Sequence, residues 1–225
     1  MANGFSKQIQ ERIGAAVDGT IFVNSDFADI ADQETVRRTL NRLTQAGMLR
    51  RIRKGVYEKP KYSKLLHEYV AADPDAVAKA LARNYHWTIA PCGNTALNLL
   101  GLSTQVTAVW SYISDGPYKT YEWNSTKLEF KHRTNKEITG LSYMTSLVIQ
   151  ALKTLGRANV TPEIIQTLSE KLSEAVNAVN RFRVKGPMRA SYRDHQSTKS
   201  PFKQGVSGGE ISAEALKDIL SMELN

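Results

Sequence analysis

The residues best suited to chemistry in this sequence are the cations and amides that recur before residue 60. From Thr35 to Tyr57 there are seven Lys or Arg and no Asp or Glu. Arg can pair with guanine and Asn or Gln with adenine in the major groove, whereas Lys and Arg near a turn suit phosphates. The pattern therefore predicts contacts with double-stranded DNA. The predicted contact residues are Gln33, Glu34, Thr35, Arg37, Arg38, Asn41, Arg42, Gln45, Arg50, Arg51, Arg53 and Lys54.

Most of these residues belong to one predicted helix, from Gln33 to Ala46, with Asp32 as its N-cap. At about 100° per residue, its apolar side chains fall on one face and its polar side chains on the other. The apolar face holds Val36, Leu40 and Leu43. One face can therefore pack on the protein while the other enters a major groove, which is what a recognition helix must do. An ordinary amphipathic helix with a solvated charged face is the alternative.

The surrounding elements predict a winged helix-turn-helix over residues 1–60. A helix from Phe5 to Val17 precedes a short strand, Ile21–Val23, and a short helix, Phe27–Ala31. After the recognition helix, Met48–Glu58 reads as a hairpin that turns at Lys54-Gly55. Residues 33–42 are then the core of the recognition helix and residues 50–54 the wing.

The rest of the chain is predicted to form a second, mixed domain, which makes the fold class α+β. Residues 61–180 read as helices around a small antiparallel sheet, a three-stranded meander in aromatic and β-branched segments. The strands are Thr107–Ser114, Tyr118–Trp123 and Lys127–Arg133, and the helices are Tyr62–Ala71, Asp73–Asn84, Asn94–Leu100, Leu141–Leu155 and Thr161–Asn180.

Residues 181–225 are predicted to be a basic flexible tail with a short terminal helix, Ser212–Met222. From Arg181 to Gly205 there are seven Lys or Arg against Asp194 alone, in a chain of net charge +8 and pI near 9.5. Such a segment can follow a DNA backbone, aid solubility or dock onto an acidic partner. DNA is the preferred interpretation, because it gains from counterion release.

A second chemistry is conceivable on the predicted meander. Asp115 follows one strand, and Glu129 and Lys131 lie on another, which resembles the carboxylates and lysine of metal-dependent nucleases. However, Asp-Gly is also a turn signal and Glu-x-Lys is common on an exposed strand face. The single Cys92 is predicted to be a buried small residue, and the four His lack the spacing of a metal site. We therefore predict no catalytic residues, metal ligands or cofactor.

Several segments resemble AbiEi-like antitoxins of type IV toxin–antitoxin systems. The matching stretches are Ile21–Phe27, Thr35–Leu43, Gly47–Tyr57 and Thr88–Leu102, and the resemblance covers residues 1 to about 180. It implies an autorepressor that binds repeated sites in its own promoter. It also implies a C-terminal domain that opposes a nucleotidyltransferase-like toxin. A repressor with a partner-binding domain and no toxin is the remaining alternative, and the oligomeric state stays open.

Membrane insertion and secretion are not expected. The sequence contains no apolar run near the roughly 20 residues that span a bilayer, and residues 1–7 do not form a secretory signal. The expected location is the cytoplasm, at the nucleoid when bound to DNA.

Overall fold

A computed structural model describes residues 2–133 and 141–184, and within them the fold is α+β. The helices are α1 (Ala2–Ala15), α2 (Gln33–Gln45), α3 (Pro74–Tyr85), α4 (Asn94–Leu99), α5 (Tyr143–Leu155) and α6 (Pro162–Val184). The strands are β1 (Ile21–Val23), β2 (Arg50–Arg53), β3 (Val56–Glu58), β4 (Tyr62–Ser63), β5 (Glu68–Tyr69), β6 (Ile89–Pro91), β7 (Val109–Ser114), β8 (Lys119–Trp123) and β9 (Thr126–His132).

The first core lies between α1, α2 and an antiparallel sheet of order β1-β3-β2. Ile9 and Ile13 of α1 are buried against the apolar face of α2. The predicted helix Phe27–Ala31 is instead a 3₁₀ turn, Asn24–Phe27. Within this turn, the Asp26 carboxylate accepts a hydrogen bond from the Val23 amide at 2.9 Å. Local side-chain bonding therefore replaces a helical turn at this position.

The sheet β1-β3-β2 separates two cores because successive strand residues point to opposite faces. Phe22 and Tyr57 pack with α1 and α2. Ile21, Val23 and Val56 pack on the other side with α3 and the second sheet. The apolar interior is therefore continuous across residue 60, where the sequence analysis placed a domain boundary.

The predicted helix Tyr62–Ala71 is wrong, since β4 and β5 form an antiparallel hairpin there. The rings of Tyr62 and Tyr69 meet edge to face at a centroid distance of 5.4 Å. Leu65 and Leu66, which would have supplied the helix with an apolar face, are 88% and 61% exposed. A short helix needs a surface to pack against, and none of the cores formed by the described residues covers Leu65 and Leu66.

The second sheet has four strands in the order β6-β7-β9-β8 and is mixed rather than a meander. β7 runs parallel to β9, while β8 pairs with β9 alone among the described strands and lies at the edge of the sheet. Both strands bury one face, through Tyr121 and Trp123 on β8 and through Leu128 and Phe130 on β9. The opposite face agrees with the order, because Glu122 of edge strand β8 is exposed whereas Glu129 of central strand β9 is half-buried.

Helices α4, α5 and α6 enclose a third core around Leu100, Leu147 and Leu168. α6 continues four residues beyond the predicted end at Asn180, as far as Val184. The rest of the predicted tail, with its terminal helix, lies outside the described residues. No helix among those described combines the length and the apolar character needed to cross a bilayer.

Candidate nucleic-acid interface

Helix α2 presents its predicted contact residues to solvent. Val36, Leu40 and Leu43 are buried beneath it, together with Thr39. Seven of the eight predicted contact residues on the helix are exposed, and Thr35 is half-buried. The 3.6-residue period therefore placed both faces correctly.

Asp32 caps the start of α2 and also forms hydrogen bonds with Thr35, one of the predicted contact residues. Its carboxylate accepts hydrogen bonds from the backbone amides of Glu34 and Thr35, both at 3.0 Å. The Thr35 hydroxyl donates to the same carboxylate at 2.7 Å. These bonds from Thr35 lower the pKa of Asp32. Thr35 is thus part of the helix cap, and its hydroxyl is already engaged before any ligand binds.

Glu34 pairs with two of the arginines on the exposed face. Its carboxylate accepts from Arg37 Nε at 2.9 Å and from Arg38 Nε at 2.8 Å. The hydrogen bonds from Arg37, reinforced by Arg38, lower the pKa of Glu34, so the carboxylate stays charged. In the free chain this acid therefore neutralises part of the positive charge that a phosphate backbone would meet.

Two further residues of α2 are held in place by neighbouring elements. The Asn41 side-chain oxygen accepts a hydrogen bond from the Tyr57 hydroxyl at 3.2 Å. Arg42 donates to the Ser6 hydroxyl on α1. Both side chains remain exposed, so these contacts orient them without burying them.

The β2–β3 hairpin supplies two exposed cations, Arg51 and Lys54. The turn itself requires glycine, because Gly55 has φ +78° and L side chains rarely adopt that conformation. The Arg51 Nε donates to the Arg53 carbonyl at 3.4 Å, which leans the side chain along the strand. Arg51 and Lys54 fit the predicted wing.

Arg50 was also predicted to contact DNA, but the structure gives it a different role. Its Nε lies 2.9 Å from the carboxylate of Glu58, which is only 2% exposed, and its Nη2 donates to the Val70 carbonyl at 2.7 Å. A buried carboxylate without a partner is costly, so Arg50 is required where it is. We remove it from the proposed contact set.

Arg53 is committed to the second sheet in a similar way. Its guanidinium stacks over the Tyr121 ring at 4.1 Å from the centroid, and the side chain is half-buried. The alternation of the hairpin had suggested an exposed cation here. The register of the β2–β3 pairing shifts between Arg51 and Arg53, which indicates a β-bulge. The bulge helps turn the Arg53 side chain toward the protein.

A cleft of about 530 Å³ joins α2, the hairpin turn and the end of α3. Asn84 and Tyr85 of α3 line it together with Lys54, which lies about 30 residues earlier in the chain, and no sequence motif pointed to them. Two contacts hold the end of α3 at the cleft. The Arg83 guanidinium donates two hydrogen bonds to the Asp26 carboxylate, at 2.6 and 2.8 Å, and the Ser25 hydroxyl donates to the Asn84 side-chain oxygen at 3.2 Å. No local pattern signals such a contact.

The nuclease-like residues are not assembled into one centre. Lys131 Nζ lies 2.8 Å from Glu129, whose carboxylate also accepts from Ser111. Although burial raises the pKa of Glu129, these two bonds outweigh it and leave the pKa below its usual value. The parallel register places Glu129 beside Ser111, four positions from Asp115, roughly 13 Å away at about 3.3 Å per residue.

Asp115 instead accepts a hydrogen bond from the Thr88 amide at 2.9 Å and so ties the end of β7 to the residue before β6. Within residues 2–133 and 141–184, no three His, Cys, Asp or Glu side chains are grouped so that they could hold a metal ion. Cys92 is buried, and burial raises the pKa of its thiol. This environment keeps the sulfur protonated and suits packing rather than nucleophilic attack.

Comparison with known proteins places the chain in a family. Residues 8–178 match the profile of a family of unknown function (DUF6088). The chain belongs to this family. The match runs from α1 into α6, so the exposed face of α2, the cleft and the second sheet all lie within one family unit. No curated protein and no solved structure matches the chain.

Proposed function

We infer that this chain binds double-stranded DNA through a winged helix-turn-helix formed by α1, the 3₁₀ turn, α2 and the sheet β1-β3-β2. The observation that carries the inference is the exposed face of α2, where Arg37, Arg38 and Asn41 stand over a fully packed apolar face. A hairpin with two exposed cations lies beside it. Arginine and asparagine side chains on such a face can hydrogen-bond to base edges, and cations beside it can contact phosphates.

The residues divide into two roles in this proposal. Gln33, Arg38, Asn41, Arg42 and Gln45 read base edges or flank them. Arg37, Arg51 and Lys54 contact the phosphate backbone. Glu34 either accepts from a cytosine amino group or only restrains its arginine partners until DNA binds. Repression of the chain's own promoter is the regulatory use that fits such an interface. The toxin partner and the cytoplasmic location stay predictions, and the oligomeric state stays open.

Selection from a random duplex pool tests the proposal, followed by binding measurements on the selected sequence. Arg38→Ala and Asn41→Ala should each cost about 1–3 kcal/mol on that sequence and little on unrelated DNA, because they remove base contacts. Gln166→Ala, an exposed polar side chain on α6, is the control. Failure to enrich any sequence, or equal losses on both DNAs, would count against base reading by α2.

A further inference from the structure

The cleft between α2, the hairpin turn and α3 has the charge of an anion site. Its volume is about 530 Å³, within the range of small-ligand pockets. Among the residues that line it none is Asp or Glu, and the cations are Arg51, Arg53, Lys54 and Arg37, of which Arg37 is already paired with Glu34 from outside the cleft. Cations that face one cleft repel each other, and an anion relieves that repulsion.

Two residues that line this cleft each carry a buried polar atom without a hydrogen-bond partner among the described residues. They are Nη1 of Arg53 and Oδ1 of Asn24. A buried donor or acceptor that bonds to nothing costs free energy. A phosphate ester carries acceptor oxygens, so an Arg53 guanidinium that turns toward the cleft on binding gains the partner that its Nη1 lacks in the free chain.

The end of α3 supplies the second wall. The Asn84 oxygen accepts from Ser25, which leaves the amide nitrogen as the group able to donate toward the cleft. Tyr85 lies beside it and stacks on Trp87 at a centroid distance of 4.7 Å, which fixes its position. Neutral donors opposite a row of cations are a common way to hold a phosphate group.

We propose that this cleft binds a phosphate ester, with α3 as its second wall. The proposal partly rests on the DNA-binding function. A DNA strand that runs from the groove read by α2 to the groove beside the hairpin would cross the cleft. The same chemistry fits two sources, a backbone phosphodiester or the phosphate of a free nucleotide. In either case the ligand contacts both the hairpin and the part of the chain after residue 60.

The decisive variant is Asn84→Asp, which places a negative charge in the cleft without changing the side-chain shape. Asn94→Asp, an exposed position at the start of α4, makes the same change elsewhere. The full chain is titrated with a mixed-sequence duplex of about 20 base pairs and separately with deoxyadenosine monophosphate. We expect Asn84→Asp to weaken binding at least about tenfold more than Asn94→Asp, because like charges repel strongly at short range.

Lys54→Ala and Lys64→Ala form a second pair, since both lysines are exposed and neither substitution disturbs a core. Only Lys54→Ala should flatten the log–log salt slope for the duplex, by about 0.9. Lys54 is a backbone contact in either case, so if Asn84→Asp does not fold, Asn84→Ala compared with Asn94→Ala in the same titrations tests the α3 wall.

The two probes separate the sources. Loss of duplex binding alone assigns the cleft to the DNA backbone, whereas nucleotide binding that displaces the duplex assigns it to a free nucleotide. Nucleotide binding that depends on Asn84, in a chain that binds no duplex, would overturn the DNA-binding function and keep the phosphate site. Equal effects of test and control variants with both probes, or no binding of either probe, would overturn the proposal.

Discussion

At the scale of single residues, Glu34 is the acid that restrains the candidate interface. It pairs with Arg37 and Arg38 on the exposed face of α2. Glu34→Gln should raise affinity for mixed-sequence DNA severalfold and steepen its salt dependence, because Arg37 becomes available to phosphates. Binding titrations over a range of salt concentrations measure this. Glu163→Gln removes an equivalent exposed charge on α6 and should change little; the same gain in both variants would point to net charge alone.

Glu58 gives a pH-dependent prediction. Burial raises its pKa, and the hydrogen bond from Arg50 opposes the rise without cancelling it. A carboxyl whose pKa is higher in the folded chain contributes stability at low pH that is lost as pH rises through the raised value. Glu58→Gln cannot ionise, so its stability relative to the natural chain should improve as pH rises above about 4 and through the raised pKa of Glu58. Urea unfolding at each pH tests this, and a constant difference would contradict it.

Arg50→Ala is the companion variant, because it leaves the Glu58 carboxylate buried without its partner. It should cost about 2 kcal/mol at pH 7, less than a fully buried pair because the Arg50 side chain is 37% exposed. Its DNA affinity, measured on folded protein, should stay close to that of the natural chain. A large loss of DNA affinity would return Arg50 to the contact set.

At the scale of elements, the turn after β7 depends on a close approach. A Cβ at Gly116 would meet the Trp87 ring at 2.4 Å, so no larger residue fits there without a shift. Gly116→Ala should therefore destabilise the fold by about 1–3 kcal/mol. Gly14→Ala is the matched control, since it lies in α1 with open space around it and should stabilise by up to about 1 kcal/mol. Thermal unfolding of both distinguishes them, and a neutral Gly116→Ala would mean that Trp87 moves easily.

At the scale of the whole molecule, the shared core should make the two parts unfold together. Val77 of α3 packs in the cluster that includes Val23 and Val56 before residue 60 and Leu128 after it. Val77→Ala should cost about 2 kcal/mol. Hydrogen exchange should then show equal loss of protection for the amides of β1 and β9. Loss confined to β9 would indicate two independently stable domains.

The sequence by itself determined the elements whose signals lie within a few residues. The Asp32 cap, the two faces of α2 and the hairpin around Gly55 all follow from local hydrogen bonding, the helical period and turn chemistry. For the same reason most of the exposed candidate residues on α2 could be named in advance. The α+β class followed from the same local patterns.

Only the tertiary structure decided what those elements meet. The β4–β5 hairpin, the parallel pairing of β7 with β9 and the partners of Arg50 and Arg53 all depend on residues far away in the chain. The same holds for the α3 wall of the cleft. Local propensity cannot choose among such partners. Burial and the pairing of charges act between segments that come together only when the chain folds, so these contacts leave no pattern in the neighbouring sequence.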